Sequence, residues 1–189
     1  MFENLPPQIT VFEVGPRDGL QNEKQMVSTD DKVALIKALA ASGLKHIEVT
    51  SFVSPKWIPQ LADGAEVKKA LHLADDVQLS ALVPNLKGYE GAKAVGFKQI
   101  NLFLSASESH SKKNINKSVS EALSTMAEVA KIAKADGKRI RCYVSTVFAC
   151  PYEGPVAPSQ ALMVTEKLLA MGVDEISLGD TIGAATPAQ

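Results

Sequence analysis

Cysteine is scarce in this chain of 189 residues, and its two thiols, Cys142 and Cys150, do not form a CxxC pair. The sequence therefore predicts neither a disulfide framework nor a zinc site, and it favours a reducing, cytoplasmic compartment. The N-terminus lacks the basic and apolar regions of a signal peptide. No apolar run approaches the roughly 18 residues that span a bilayer. We expect a soluble intracellular protein that does not bind membranes.

An excess of charge of either sign is also missing. The chain has 20 Lys and Arg against 21 Asp and Glu, a net charge of −1 and a pI near 6.3. This balance gives no electrostatic reason to expect nucleic acid as a partner. With 46% hydrophobic and 22% charged residues, the composition is that of a globular protein with one sizeable core. We expect a single domain over residues 1–189.

Short β-rich runs alternate with helical patterns along the whole chain. The predicted strands are Ile9–Val14, His46–Thr50, Gln78–Val83, Gln99–Leu104, Arg139–Val147 and Glu175–Leu178. The predicted helices, whose apolar residues recur at threes and fours, are Thr29–Ala41, Gly64–Leu73, Leu86–Val95, Val119–Ala135 and Pro158–Met171. Ser28 or Thr29 can cap the first helix, and Ser118 with Glu121 matches a capping box.

Two parallel α/β architectures fit this alternation, a doubly wound sheet and a (β/α)8 TIM barrel. The Gly-x-Gly-x-x-Gly turn of a dinucleotide-binding sheet is missing, because Gly15 is followed by Pro16 and Arg17. Polar residues follow nearly every predicted strand, where barrel enzymes carry their sites. We therefore predict a TIM barrel. A complete barrel takes about 250 residues, and only about six strands are found here, so we expect a truncated barrel that is incomplete at its C-terminus.

The run Glu13–Gly19 is predicted to be a β-strand that delivers Arg17 and Asp18 into an active site. The glycines and the proline that flank this pair favour a tight turn. Asp18 is a hard oxygen ligand suited to Mg²⁺ or Mn²⁺. Arg17 can stabilise negative charge on a substrate oxygen without losing a proton. The alternative is a solvated, salt-bridged turn.

Two further candidate residues are Glu48, on the second predicted strand, and Trp57, in the loop that follows it. Glu48 interrupts an apolar strand, where a charge is costly unless it is paired. It either faces water at the strand end or holds Arg17 or a metal-bound water in place. Trp57 lies in a loop between prolines and is predicted to anchor that loop against the barrel rim.

Several long stretches of the chain closely resemble one family, 3-hydroxy-3-methylglutaryl-CoA lyase. They are Phe12–Glu23, Thr50–Gln60, Pro84–Gly88, Lys112–Asn116, Cys150–Gly154 and Glu175–Gly183. The resemblance runs in register over essentially the whole chain. It implies a metal-dependent lyase on a TIM barrel that cleaves 3-hydroxy-3-methylglutaryl-CoA to acetyl-CoA and acetoacetate, in leucine degradation and ketone-body formation. It further implies a small-molecule acyl-CoA substrate and a homo-oligomer, a dimer, when the chain is complete.

The same resemblance implies roles for individual residues. Arg17 would stabilise the enolate of the departing acetyl-CoA, Glu48 would orient this centre, and Asp180 would be a further catalytic carboxylate. Asp18 would be a ligand of the divalent metal, Mg²⁺ or Mn²⁺. The implied substrate-binding residues are Arg17, Gln21, Ser51, Lys112 and Thr181.

This chain also departs from the family pattern. The family's His-x-His motif on the seventh strand, a further Asn ligand and a Cys on a glycine-rich loop are missing, and His46, His72 and His110 are not expected to replace them. With Asp18 as the one assigned protein ligand, we expect weak metal binding and no turnover by this chain alone.

Some assignments stay open. Lys24, Lys56, Lys112 and Lys113 either meet CoA phosphates or form solvated basic loops. The alternative functions are a related condensing enzyme of the isopropylmalate or homocitrate synthase type and a non-catalytic barrel fragment.

Overall fold

The structure is a computed structural model that describes residues 6–186 and residue 188. Residues 1–5, which enter the signal-peptide argument, lie outside it. The chain groups into two compact units. The first runs up to Val83 and includes Lys87–Ile100, and the second comprises Pro84–Leu86 and the chain from Asn101 onward. The prediction of one domain over residues 1–189 stays a prediction.

The described residues form eight strands and six α-helices, with two short helical turns. The strands are β1 (Phe12–Glu13), β2 (His46–Ser51), β3 (Gln78–Leu82), β4 (Gln99–Ser105), β5 (Arg139–Ser145), β6 (Ala149–Cys150), β7 (Gly154–Pro155) and β8 (Glu175–Leu178). The helices are α1 (Thr29–Ala41), α2 (Gly64–Ala70), α3 (Leu86–Ala94), α4 (Glu108–Ile115), α5 (Val119–Ala135) and α6 (Pro158–Ala170). A π-helical turn spans Gly15–Gly19 and a 3₁₀ turn spans Pro59–Leu61.

In the first unit the strands follow the order β1-β2-β3 and are all parallel. The side chains of β2 are buried from Ile47 to Ser51, as expected for a strand covered on both faces. Ile36 of α1 and Val67 of α2 are fully buried in this core. The pairing of β2 with β3 shifts register between Glu48 and Thr50. Such a bulge re-aims side chains next to it.

In the second unit the order is β4-β5-β8, with β5 and β8 parallel. Helices α5 and α6 both pack on β5. The buried side of α5 includes Met126 and Val129, and that of α6 includes Val164 and Leu168. Strands β6 and β7 form a small antiparallel hairpin beyond the end of β5. Among the described residues no helix is long and apolar enough to cross a membrane.

The predicted bounds of α1, α5 and β8 are confirmed. Ser28 caps α1 by accepting a hydrogen bond from the backbone N–H of Asp31, and the Ser118–Glu121 capping box is present at α5. The prediction of a strand over Ile9–Val14 was wrong at both ends, because β1 finds ladder partners in β2 only at its two residues.

Helix α4 and the β6–β7 hairpin were not predicted. The segment Glu108–Ile115 is mostly polar, so no apolar repeat marks it as a helix. Its order comes instead from contacts at its ends. The Ser107 hydroxyl accepts a hydrogen bond from the backbone N–H of His110, and Asn116 ends the helix in the left-handed conformation. Lys112 and Lys113 therefore lie on a helix rather than in a loop.

Candidate functional site

The turn after β1 carries the first candidate residues. The carbonyl of Val14 accepts hydrogen bonds from the N–H groups of Arg17 (3.0 Å) and Asp18 (2.7 Å). The Glu13 carboxylate accepts the N–H of Gly15, where an added Cβ would lie 2.7 Å from that carboxylate oxygen. The run Glu13–Gly19 is therefore not a strand. The chain leaves the ladder at once because Pro16 has no N–H to donate and its φ is restricted.

Arg17 joins two carboxylates in very different surroundings. Its Nε donates to Oε1 of Glu48, and its Nη1 donates to Oδ1 of Asp18 at 2.5 Å. The side chain of Glu48 is 1% exposed, that of Arg17 is 12% exposed, and that of Asp18 is 56% exposed. Glu48 therefore does not face water at the strand end, and that alternative was wrong. Glu48 instead contacts Arg17, as the other alternative predicted. A buried carboxylate holds one edge of the guanidinium, while an accessible carboxylate lies at the other.

The predicted substrate-binding residues of the first unit lie near the same strand ends. Ser51 is the last residue of β2 and is 3% exposed, and its hydroxyl is 3.5 Å from the N–H of Val53. Gln21 is half-buried and follows the π-helical turn. Because β1 and β2 are parallel neighbours, their carboxyl ends bring both residues to the end of the sheet that carries Arg17. Their roles stay predictions.

A buried polar network, which the sequence did not reveal, joins the segment before α1 to the segment before α2. Lys32, 3% exposed, donates through Nζ to the carbonyl of Gln60 at 2.5 Å and to Oδ1 of Asp63 at 2.7 Å. The side chain of Gln60 accepts the N–H of Val27 at 3.0 Å and donates to the carbonyl of Gln25 at 2.8 Å. This network fixes the loops that follow β1 and β2 relative to each other.

Trp57 contradicts its prediction. It is 81% exposed, so it does not anchor its loop by burying the indole. The anchor is instead the Gln60 amide together with Leu61, which is 4% exposed. Gln60, through hydrogen bonds to the backbone, therefore anchors the loop that Trp57 was predicted to anchor.

Asp180 and Thr181 follow β8 in the second unit. The carboxylate of Asp180 accepts the N–H groups of Ala184 (2.9 Å) and Ala185 (2.8 Å), so it caps the turn that follows. The hydroxyl of Thr181 accepts the N–H of Thr146 at 2.8 Å. A catalytic role for Asp180 and a substrate-binding role for Thr181 stay predictions, and both side chains already serve the local backbone.

Thr146 is one of the polar residues at the carboxyl ends of the predicted strands, but its backbone conformation was not predicted from the sequence. It is fully buried and has a φ of +58°, a conformation that is strained for a β-branched residue. Its hydroxyl lies 2.7 Å from that of Ser105, whose oxygen also accepts the N–H of Ser107. These contacts, together with the hydrogen bond to Thr181, keep Thr146 in its strained backbone conformation at the carboxyl end of β5. No local sequence signal marks such a backbone.

Helix α4 carries Lys112, whose exposed ammonium is 3.8 Å from the Glu121 carboxylate. Lys113 lies over the ring of Tyr152, 4.4 Å from its centroid, and His110 stacks near that ring at 6.2 Å. Partial burial lowers the pKa of His110 below its ordinary value because an imidazolium is poorly solvated there. The helix therefore presents cations next to an aromatic hairpin residue, and substrate binding by Lys112 stays a prediction.

The pKa values of the two cysteine thiols are shifted in opposite directions. Burial raises the pKa of the Cys142 thiol well above its usual range. Burial also opposes ionisation of Cys150, but hydrogen bonds from the Ser107 hydroxyl and the N–H groups of Tyr152 and Glu153 outweigh it and lower its pKa. Both thiols are unpaired and buried.

The residues that could hold a divalent metal are few. In residues 6–186 and 188 no three side chains of His, Cys, Asp or Glu come together as a metal site. Asp18 offers an accessible hard oxygen, but Mg²⁺ requires an octahedral shell, and Glu48 is committed to Arg17. His46 packs on Phe12 with ring centroids 4.5 Å apart. The described donor set therefore does not by itself form a metal centre.

Comparisons with known proteins agree on one family. The family model described as HMGL-like matches residues 8–189. The mitochondrial hydroxymethylglutaryl-CoA lyase of Bos taurus is 52% identical over 97% of this chain and 56% of its own length. The crystal structure of the Pseudomonas aeruginosa hydroxymethylglutaryl-CoA lyase matches 96% of this chain and 61% of its own, with 48% identity and a TM-score of 0.93.

An HMG-CoA lyase from Acinetobacter baumannii, solved in complex with coenzyme A and 3-methylmalate, matches with 38% identity and a TM-score of 0.91, over 95% of this chain and 59% of its own. The chain thus spans less than two thirds of the length of each of these relatives.

Proposed function

The chain belongs to the HMGL-like family and has its TIM-barrel fold, and we propose that it provides part of the active site of a hydroxymethylglutaryl-CoA lyase. The reaction is cleavage of 3-hydroxy-3-methylglutaryl-CoA to acetyl-CoA and acetoacetate. The observation that carries this proposal is the Arg17 guanidinium, held on one edge by buried Glu48 and flanked on the other by exposed Asp18.

The chemistry requires a fixed cation. The tertiary hydroxyl on C3 loses its proton. As the C2–C3 bond breaks, the C–O single bond at C3 becomes the C=O double bond of the acetoacetate ketone. The electron pair moves onto C2 and the thioester oxygen as the enolate of acetyl-CoA, which then takes up a proton at C2. Arg17 stabilises the charge that develops on that oxygen, and Glu48 keeps the guanidinium oriented so that little reorganisation is needed. Arginine suits this role because it stays protonated.

The metal belongs to the same proposal. We assign Asp18 as one ligand of a divalent cation, Mg²⁺ or Mn²⁺. Such a cation would lower the pKa of the substrate hydroxyl. The proposal keeps the catalytic roles that were assigned to Glu48 and Asp180. It also keeps the substrate-binding roles that were assigned to Gln21, Ser51, Lys112 and Thr181.

Compartment and assembly are also proposed. The unpaired state of Cys142 and Cys150 supports a reducing compartment, and we propose the cytoplasm, although the bovine relative is named as mitochondrial. We further propose that the complete enzyme is a homodimer acting on a small-molecule acyl-CoA, with no part for nucleic acid or membrane.

The test measures acetoacetate release from 3-hydroxy-3-methylglutaryl-CoA with Mg²⁺. Two proteins are compared, this chain and a chimera that joins it to the segment following the matched region in the Pseudomonas aeruginosa enzyme, with that enzyme as positive control. We expect release by the chimera and none by the chain alone. Arg17→Gln in the chimera should lower kcat about 10²- to 10³-fold with substrate binding retained. Arg139→Gln, at a half-exposed arginine, is the matched control.

Each outcome has a consequence. A folded chimera that releases no acetoacetate would reject the lyase, and condensation of acetyl-CoA with a 2-oxo acid would then support the synthase alternative. No activity of either kind would favour the non-catalytic fragment. Unchanged kcat in Arg17→Gln would remove the enolate role from Arg17.

A further inference from the structure

Thr146, directly after β5, adopts a backbone conformation that its side chain disfavours. Its φ of +58° lies in the left-handed region, where a β-branched residue is an outlier. Such strain persists only where surrounding contacts impose it, and it is found mainly at functional sites. Thr146 is also fully buried, so it does not itself meet a ligand. Any functional role of this residue must therefore act through a neighbour.

Buried hydroxyl groups hold this conformation. The Thr146 hydroxyl donates to the carbonyl of Ser145 at 2.7 Å, and its oxygen lies 2.7 Å from the hydroxyl of Ser105. Because the Thr146 hydrogen is already donated, the Ser105 hydroxyl is the donor between the two. The Ser105 oxygen in turn accepts the N–H of Ser107, the residue that caps α4. Ser105 and Ser107 are both buried, so water competes little for these bonds.

The strained backbone directs the N–H of Thr146 at Thr181, on the turn after β8. This N–H donates to the hydroxyl oxygen of Thr181 at 2.8 Å. The two segments are also joined by backbone hydrogen bonds, from the Gly179 N–H to the Val144 carbonyl (2.9 Å) and from the Val147 N–H to the Gly179 carbonyl (3.2 Å). The contact between Thr146 and Thr181 therefore belongs to the backbone framework at the ends of β5 and β8.

The Thr181 hydroxyl is left with a hydrogen to donate. A hydroxyl has one O–H donor and two acceptor lone pairs, and the Thr146 N–H occupies one of those lone pairs. In the part of the chain that the structure describes, no acceptor takes the Thr181 hydrogen. Thr181 is exposed and follows β8, at the end of the strands where barrel enzymes bind their substrates. Its O–H is therefore available to a ligand oxygen.

We propose that Thr146 is a positioning residue for the Thr181 hydroxyl, which donates its hydrogen to an oxygen of the acyl-CoA substrate. The contacts with Ser105 and Ser145 keep Thr146 left-handed, and its N–H then fixes the rotation of the Thr181 side chain. Without those contacts the strained residue relaxes to a negative φ, and its N–H turns away from Thr181. This inference rests on the proposed function in taking an acyl-CoA as the ligand.

The kinetic test uses the chimera described above and separates KM from kcat. Thr146→Val keeps the shape of the side chain and removes its hydroxyl. It should raise the KM for 3-hydroxy-3-methylglutaryl-CoA about 2- to 12-fold, as expected for loss of one neutral hydrogen bond, and leave kcat nearly unchanged. Thr146→Ser retains the hydroxyl and should keep the wild-type KM. Thr165→Val, the matched control, removes a hydroxyl that donates to the Ala161 carbonyl within α6 and should change neither constant.

A double-mutant cycle decides whether Thr146 acts through Thr181. In a chimera that carries Thr181→Val, adding Thr146→Val should raise KM no further. Equal effects of Thr146→Val with and without the Thr181 hydroxyl would overturn the proposal. An unchanged KM in a variant whose stability has fallen would also overturn it, because the role would then be structural. If Thr146→Val does not fold, Ser105→Ala removes the same contact and carries the same expectations.

A measurement without turnover separates this proposal from the proposed function. In NMR spectra of this chain, the amide proton of Thr146 should move upfield in Thr181→Val, because it loses its acceptor, and keep its position in Thr181→Ser. If it moves in neither variant, Thr146 does not hold Thr181 and the proposal is wrong whatever the chimera does. If it moves as expected and the chimera releases no acetoacetate, the lyase and its substrate are rejected, while the coupling of Thr146 to Thr181 is retained.

Discussion

The Arg17–Glu48 pair should contribute far more to stability than the Arg17–Asp18 pair, although both share one guanidinium. Glu48 is 1% exposed and Asp18 is 56% exposed. Removing one member of a buried ion pair leaves the other charge without compensation and costs about 3–5 kcal/mol. An exposed pair is screened by water and contributes about 0–1 kcal/mol. We therefore expect Glu48→Ala to lower the free energy of unfolding by about 3 kcal/mol, and Asp18→Ala by less than about 1 kcal/mol.

A double-mutant cycle separates the pair from general packing effects. Arg17→Met leaves the Glu48 carboxylate buried alone and should cost about as much as Glu48→Ala. In the double variant Arg17→Met with Glu48→Ala no buried charge remains, so the loss should be smaller than the sum of the two single losses by about 1–3 kcal/mol. Urea unfolding followed by far-UV circular dichroism measures each value, provided that the slope with denaturant stays constant.

One result would refute the reasoning. If Glu48→Ala and Asp18→Ala cost the same, or if the cycle shows no coupling, then Glu48 is not the buried partner that holds Arg17. The functional consequence would follow, because the proposed enolate stabilisation depends on a guanidinium that is already oriented.

Three further predictions concern packing, backbone strain and pH. Gly64→Ala should cost about 1–3 kcal/mol, since its Cβ would lie 2.4 Å from Thr50 Oγ1. Thr146→Gly should be about 1 kcal/mol more stable than Thr146→Ala, because glycine relieves the strain of a φ of +58°. Burial lowers the pKa of His110 below 6.5, so stability should fall as pH falls below 6.5, where the unfolded state binds the proton first, and His110→Gln should lack this loss.

The controls are close matches. Gly19→Ala adds a Cβ with no atom within 4 Å, and equal losses at Gly64 and Gly19 would contradict the steric argument. Thr146→Gly and Thr146→Ala both lose the hydroxyl, so equal stability would show that the strain is not relieved. His72→Gln changes an exposed histidine, and it should retain the pH dependence that His110→Gln loses. Urea unfolding at a series of pH values measures all of these effects.

Sequence alone determined the features whose signals are local. The apolar repeat and the caps of α1 and α5 lie within single segments, and each helix formed with its predicted bounds. The same holds for the alternation that predicted the barrel and for the long stretches that indicated the family. Capping and periodicity act over a few turns of chain, so they can be read without knowing the fold.

Tertiary structure decided what depends on distant neighbours. Arg17 and Glu48 are 31 residues apart, and only the pairing of β1 with β2 brings them together. The exposure of Trp57 follows from Gln60 anchoring the loop, and the strain at Thr146 is held by Ser105 and Thr181. Burial and hydrogen-bond partners are set by which elements pack together. A residue type can therefore suggest a site, and only the fold decides which atoms of that site meet.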